Sequence, residues 1–161
     1  MRRRDLFLLA PIALAAKGQT LGKPMPKFHA KSLEGKAFNN QNLHGRVILI
    51  QYWATWCGFC RKDQPAVDKI AAEFAAQGLV VLAVNSGEDR IKVKEYLAGS
   101  PRAVNIVLEN DTNLAEIFDA PGFPKYVVIN RNGYIVGNQD GAGGTIALRD
   151  LLSNAGLRSA A

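Results

Sequence analysis

The stretch VILIQYWATWCGFC, residues 47–60, constrains the fold more than any other part of the chain. Val47 to Tyr52 is an almost unbroken β-branched and aromatic run, the pattern of a strand covered on both faces of a sheet. Its strand is expected to end at Trp53. Cys57 then falls where a helix begins, and Cys60 comes one helical turn later. These are the only two cysteines among 161 residues.

The remaining periodicities place this strand in an alternating order. Gly22 to Phe38 is punctuated by Pro and Gly and predicts a small hairpin with a turn at Leu33 to Lys36. From Gly58 to about Gln77 the apolar residues Ala66, Val67, Ile70, Ala71, Phe74 and Ala75 lie on one helical face, with a kink expected at Pro65. Leu79 to Val84 predicts a second central strand, residues 91–98 a helix, Val104 to Leu108 a strand, Asn113 to Phe118 a short helix and Tyr126 to Ile129 a strand. Asn132-Gly133 reads as a hairpin turn into Tyr134 to Val136. The last helix is expected to start at Thr145 as its cap and to run to Asn154. Strands and helices in this order predict an α/β sandwich with a mixed sheet. A composition 48% hydrophobic and 21% charged suits one globular domain, assigned to residues 17–161.

Residues i and i+3 at a helix start share a face, so Cys57 and Cys60 are placed to close a disulfide. Such a small loop constrains the unfolded chain little, which makes the bond a poor staple and suits it to being made and broken. Cys57 lies beside the free N–H groups and the positive dipole end of the helix, both of which favour a thiolate. It is the candidate nucleophile. Cys60, further inside and expected to be the more buried, is the candidate resolving thiol. Two other readings stay open. Half of a zinc site would need His29 and His44, which lack paired ligand spacing. An inert buried disulfide is disfavoured by the small loop. No metal and no bound cofactor are expected, the sulfur pair being the redox group.

The N-terminus, MRRRDLFLLAPIALAAKGQ, has a basic start, an apolar run from Leu6 to Ala16 and small residues at Ala13 to Ala15. It reads as an export signal over residues 1–16, cleaved in the mature protein. Pro11 and Asp5 are unusual there, so an uncleaved membrane anchor or a buried first helix is the alternative. Arg3-Arg4 also fits a twin-arginine pattern. Each export route leads to a periplasmic or other extracytoplasmic location, where disulfides persist. The formal charge is +6, and without residues 1–15, which hold Arg2, Arg3, Arg4 and Asp5, it is +4. That balance is too mild to imply nucleic acid.

From Gly45-Arg46 through VILIQYWATWCGFC, then Arg61-Lys62-Asp63-Gln64-Pro65, and again at Gly122-Phe123-Pro124 and YVVINRNG, the chain resembles the exported thiol-disulfide oxidoreductases of the TlpA/ResA group. The resemblance runs from about Gly22 to Leu152. It implies a thioredoxin-like sandwich, a mixed central β-sheet flanked by helices, with an N-terminal β-hairpin extension. It implies that Pro124 is cis and faces the cysteines, leaving the backbone of Phe123 open to a substrate strand. Trp56 would then be a lid on the contact surface and Trp53 a core residue. Asp63, three residues after the second cysteine, takes the place of the group's acid and would relay a proton to or from a thiol; an exposed first-turn Asp is the plain alternative.

Three departures stand beside these matches. Thioredoxins keep a buried aspartate where this chain has Gln51, proline is common at Phe59, and a small or β-branched residue is usual at Phe123. The backbone N–H that Phe59 retains is expected to stabilise a Cys57 thiolate. Function is expected to be thiol-disulfide exchange with the cysteine pairs of client proteins. A monomer is expected, and the resemblance implies a reductant, acting for example in cytochrome c maturation and recharged by a membrane thiol donor. A peroxiredoxin-like peroxidase is one alternative, weakened by Ala54 where those enzymes have Thr. A redox-independent client-binding chaperone is another. The Gly-rich run at residues 141–144 lacks a phosphate-loop continuation and reads as a plain turn.

Overall fold

The computed structural model describes residues 21–160, so the export signal expected over residues 1–16, and the first residues of the domain, lie outside the described part. Among the described residues, seven strands form one mixed sheet in the order β2-β1-β5-β4-β3-β6-β7. They are β1 (His29–Ser32), β2 (Ala37–Asn39), β3 (Val47–Trp53), β4 (Leu79–Asn85), β5 (Asn105–Thr112), β6 (Lys125–Ile129) and β7 (Ile135–Asp140). Strands β3, β4 and β5 run parallel, whereas β6, β7 and the β1–β2 hairpin are antiparallel additions. The helices are α1 (Gly58–Phe74), α2 (Arg90–Gly99), α3 (Leu114–Ile117) and α4 (Gly144–Ser153). This is a thioredoxin-like fold, and the hairpin extends it at one edge.

Alternation along β3 divides the core. Ile48, Ile50 and Tyr52 point to the face covered by the N-terminal segment and α3, against Phe28, Phe38, Leu114 and Phe118. Val47 and Leu49 point to the other face, where α1 and α4 pack with Val67, Ile70, Phe74, Leu148 and Leu152. All seven residues of β3 are buried. At roughly 1.5–3 kcal/mol for each large apolar side chain withdrawn from water, this double layer makes β3 a rigid mount for the loop at its C-terminal end. That loop carries the cysteine pair.

Several boundaries differ from expectation. α1 is a single helical element that contains Pro65, which removes one backbone donor from its ladder. β5 extends to Thr112 because β1 pairs along it, Ala30 opposite Thr112. α4 starts at Gly144 with Gly143 at its cap and no side-chain cap of its own, so Thr145 is not the cap. The reason is tertiary: the N–H of Gly144 donates to Asp63 Oδ1 at 2.8 Å. A carboxylate from another helix does the capping. The turns at residues 33–36 and 132–133 form as expected, with Gly35 and Gly133 in the left-handed region.

Candidate active site

Cys57 is the N-cap of α1, in extended conformation, and its Sγ accepts a hydrogen bond from the N–H of Cys60 at 3.1 Å. The two cysteines form a disulfide with a Cα–Cα distance of 5.2 Å. The donor to Cys57 is therefore the N–H of Cys60, not that of Phe59 as expected. A cap side chain can accept from the N–H of N2 or N3, and here the N3 donor is the one used. Cys57 is 5% and Cys60 3% exposed, so burial separates them less than the sequence suggests. Openness belongs to their neighbours, Trp56 at 64% and Phe59 at 69%. Beneath the pair lies an apolar floor of Trp53, Ala83, Val93, Ile106 and Leu108.

Phe123-Pro124 is a cis peptide bond, as the resemblance implied. The Phe123 ring meets Trp56 edge-on, centroids 5.9 Å apart, which joins the loop before the cysteines to the loop before β6. Trp56, Phe123 and Pro124 thus share one end of the sheet with Cys57 and Cys60. His29 and His44 are both exposed, on β1 and in the loop ahead of β3.

Asp63 is not an exposed first-turn residue. It is 3% exposed, accepts from Tyr126 Oη at 2.6 Å and from the Gly144 N–H, and borders a cleft with Phe59 and Lys62. Burial, and then Asp63 itself, push the Tyr126 hydroxyl far above its ordinary pKa, so it stays a donor. Gln51 is the Cα partner of Tyr126 across β3 and β6, and its Nε2 donates to Tyr126 Oη at 3.4 Å. Gln51 Oε1 accepts from Arg102 Nη1 at 3.1 Å. The Arg102 side chain is 1% exposed, pairs with Asp68 at 3.1 Å, and lies over the Trp53 ring at 5.7 Å.

A second carboxylate holds the loop that leads into the pair. Glu88 accepts from the Thr55 N–H at 2.7 Å, Thr55 Oγ1 at 2.6 Å and Asn85 Nδ2 at 2.7 Å, and pairs with Lys92 at 2.9 Å. It ties the loop that carries Trp56 and Cys57 to the end of β4. Burial alone would raise its pKa, but the hydrogen bonds from Thr55, Asn85 and Lys92 outweigh burial and hold it at about 2.

A buried disulfide at a helix start, beside a cis-proline loop on a thioredoxin-like sheet, can be compared directly with known proteins. Residues 20–151 match the Redoxin family. The chain belongs to the Redoxin family. Within it, this Redoxin chain is 29% identical over 115 residues to the thiol-disulfide oxidoreductase ResA of Bacillus subtilis, an alignment covering 71% of the chain and 64% of that relative. The chain thus spans a little under two thirds of that relative's length. Against ResA of Geobacillus thermodenitrificans the identity is 25%, covering 82% of each chain. A thiol:disulfide interchange protein of the thioredoxin family from Chlorobium tepidum superimposes with a TM-score of 0.74 at 22% identity, covering 86% of this chain and 99% of that one. The two ResA relatives support the resemblance to the TlpA/ResA group, and the Chlorobium tepidum structure shows the shared fold.

Four neighbours of the pair in this Redoxin chain carry no signal of their place in the sequence. Tyr126 shows only as a strand residue, and Arg102 and Glu88 sit in irregular segments with no periodicity to mark them. Gly144 reads as part of a plain turn, yet it brings the start of α4 onto Asp63. Gln51 does carry a signal, being a polar residue inside a fully buried strand.

Proposed function

We propose that the chain is a thiol-disulfide oxidoreductase that exchanges its Cys57–Cys60 pair with cysteine pairs of client proteins. One observation carries this reading: Cys57 Sγ, at the cap of α1, already accepts the N–H that a thiolate there would use. In the reducing direction, Cys57 thiolate attacks a client disulfide and forms a mixed disulfide. Cys60 then attacks Cys57 Sγ, the Cys57–client bond breaks, the Cys57–Cys60 bond forms, and the client leaves with two electrons. The exposed Trp56, with Phe123 and Pro124 beside it, is the surface against which a client segment rests. Asp63 serves as the proton acceptor for Cys60. The chemistry needs no further cofactor.

Similarity to proteins named thiol-disulfide oxidoreductase ResA supports this activity, and the TlpA/ResA resemblance supports the finer points. These are a reductant acting outside the cytoplasm, on clients such as apocytochrome c, as a monomer recharged by a membrane thiol donor. Reduction of insulin disulfides tests the core of it. Cys57→Ser should abolish turnover, and Cys60→Ser should accumulate as a mixed disulfide through Cys57. Normal turnover by Cys60→Ser, or an adduct on Cys57→Ser, would overturn the assigned roles.

A further inference from the structure

Arg102 is a guanidinium that the fold withdraws from water and does not fully satisfy. Its side chain is 1% exposed, its Nε and Nη1 reach Asp68 and Gln51, and its buried Nη2 has no hydrogen-bond partner among the described residues. A buried, partly paired cation is poor for stability, since an apolar residue of similar size is often as good or better there. Its hydrogen bonds, however, run in one direction. Arg102 donates to Gln51 at 3.1 Å, Gln51 donates to Tyr126 at 3.4 Å, and Tyr126 donates to Asp63 at 2.6 Å. A cation thus stands at one end and a carboxylate at the other, and every bond between them is polarised the same way. Reversing the Gln51 amide would set its NH₂ against the guanidinium, so Arg102 fixes which way Gln51 faces, and Gln51 fixes which way the Tyr126 hydroxyl points.

We propose that Arg102 is a positioning residue for disulfide exchange: through Gln51 and Tyr126 it aligns the Asp63 carboxylate, one helical turn from Cys60, to take the Cys60 proton when the mixed disulfide is resolved. This rests on the exchange proposed for the cysteine pair. In that step the proton passes from Cys60 to Asp63, the Cys60 sulfur joins Cys57, and the client sulfur leaves as a thiolate that water protonates. The groups facing Asp63 are Tyr126 from β6 and the Gly144 N–H from α4, with Lys62 beside it in the cleft. Asp68, on the same helix, is turned to Arg102. The residues of the floor under Cys60 are apolar, and the nearby Tyr96 hydroxyl donates to Gln64 Oε1 at 3.0 Å.

The test is the reaction of the reduced protein with an aromatic disulfide that releases one coloured thiolate on attack by Cys57 and a second on resolution by Cys60. Rates are read against pH, with urea unfolding in parallel. Asp63→Asn should slow resolution relative to attack by about tenfold or more, within the range of general-base effects. Arg102→Leu should slow it by about three- to tenfold, and by nothing further in the Asp63→Asn background, as expected for residues acting in one network. Tyr126→Phe, which deletes a single hydroxyl, should behave like Arg102→Leu and carries the test if that variant does not fold. An unchanged ratio of resolution to attack, or equal slowing with and without Asp63, overturns the positioning role and leaves the exchange reading standing. Release of no thiolate by the native protein overturns both.

Discussion

Two withdrawn carboxylates brace the elements around the cysteine pair, and they are held in opposite ways. Glu88, on the side of Cys57, takes three hydrogen bonds and an ion pair, and the cation Lys92 is in direct contact with it. Asp63, on the side of Cys60, takes two hydrogen bonds from neutral donors, while the cation Arg102 stands two residues away along a chain of hydrogen bonds. Glu88 is a strut: its charge is locked where it lies and its work is to hold the loop at Thr55. Among the described residues, Asp63 is held only by neutral donors, the Tyr126 hydroxyl and the Gly144 N–H. Equal burial therefore says little about role, and the identity of the donors says more.

The largest effect should come from removing the strut. Glu88→Ala leaves the Thr55 N–H and the Asn85 amide without their acceptor, at about 1–3 kcal/mol for each buried donor. A loss of about 3 kcal/mol in urea unfolding is expected, with altered fluorescence from Trp56. A loss comparable to that of an exposed Glu would remove the distinction between the two sites.

Acid should reveal the same strut next. The folded pKa of Glu88, about 2, lies below the ordinary Glu value of about 4.3. Its contribution is therefore fully present above about pH 4.3 and is lost as pH falls through about 2. Glu73 is also lowered, chiefly by its hydrogen bond to Arg149, so the informative quantity is a difference. Stability should fall more steeply between about pH 5 and pH 2 in the native protein than in Glu88→Gln. Parallel curves would contradict the assignment.

Asp63→Asn should change stability less than Glu88→Ala while moving the pH profile of Cys60 reactivity, read by alkylation of the reduced protein. A profile that stays in place would make Asp63 a second strut. Phe59→Pro should have the smallest effect, because the donor to Cys57 Sγ is the N–H of Cys60, which the substitution leaves intact. Proline is tolerated in the first turn. A shift in potential under about 15 mV is expected, half of the 30 mV that corresponds to about 1.4 kcal/mol.

The same contrast marks what is legible in the sequence. Cys57, Cys60 and the strand before them are legible because a buried strand and a helix start are local patterns. The hairpin turns are legible for the same reason, glycine being required where φ is positive. Asp63 can be placed one turn past Cys60, but its burial depends on Tyr126 from β6 and Gly144 from α4, which meet it from 63 and 81 residues away. Thr145 looks like a cap because sequence shows side chains near a helix end, not a carboxylate arriving from another helix. Glu88 and Arg102 lie in connecting segments, where no periodicity states which way a side chain turns.

Equilibration of the purified protein with a series of glutathione ratios tests the central claim most directly, since that claim is that the Cys57–Cys60 bond is made and broken in the folded protein. The fraction reduced should track a single two-electron equilibrium, with a potential above about −300 mV and both forms folded. A pair that glutathione leaves oxidised, and that is reduced only when the chain unfolds, would contradict it and make the disulfide a structural staple.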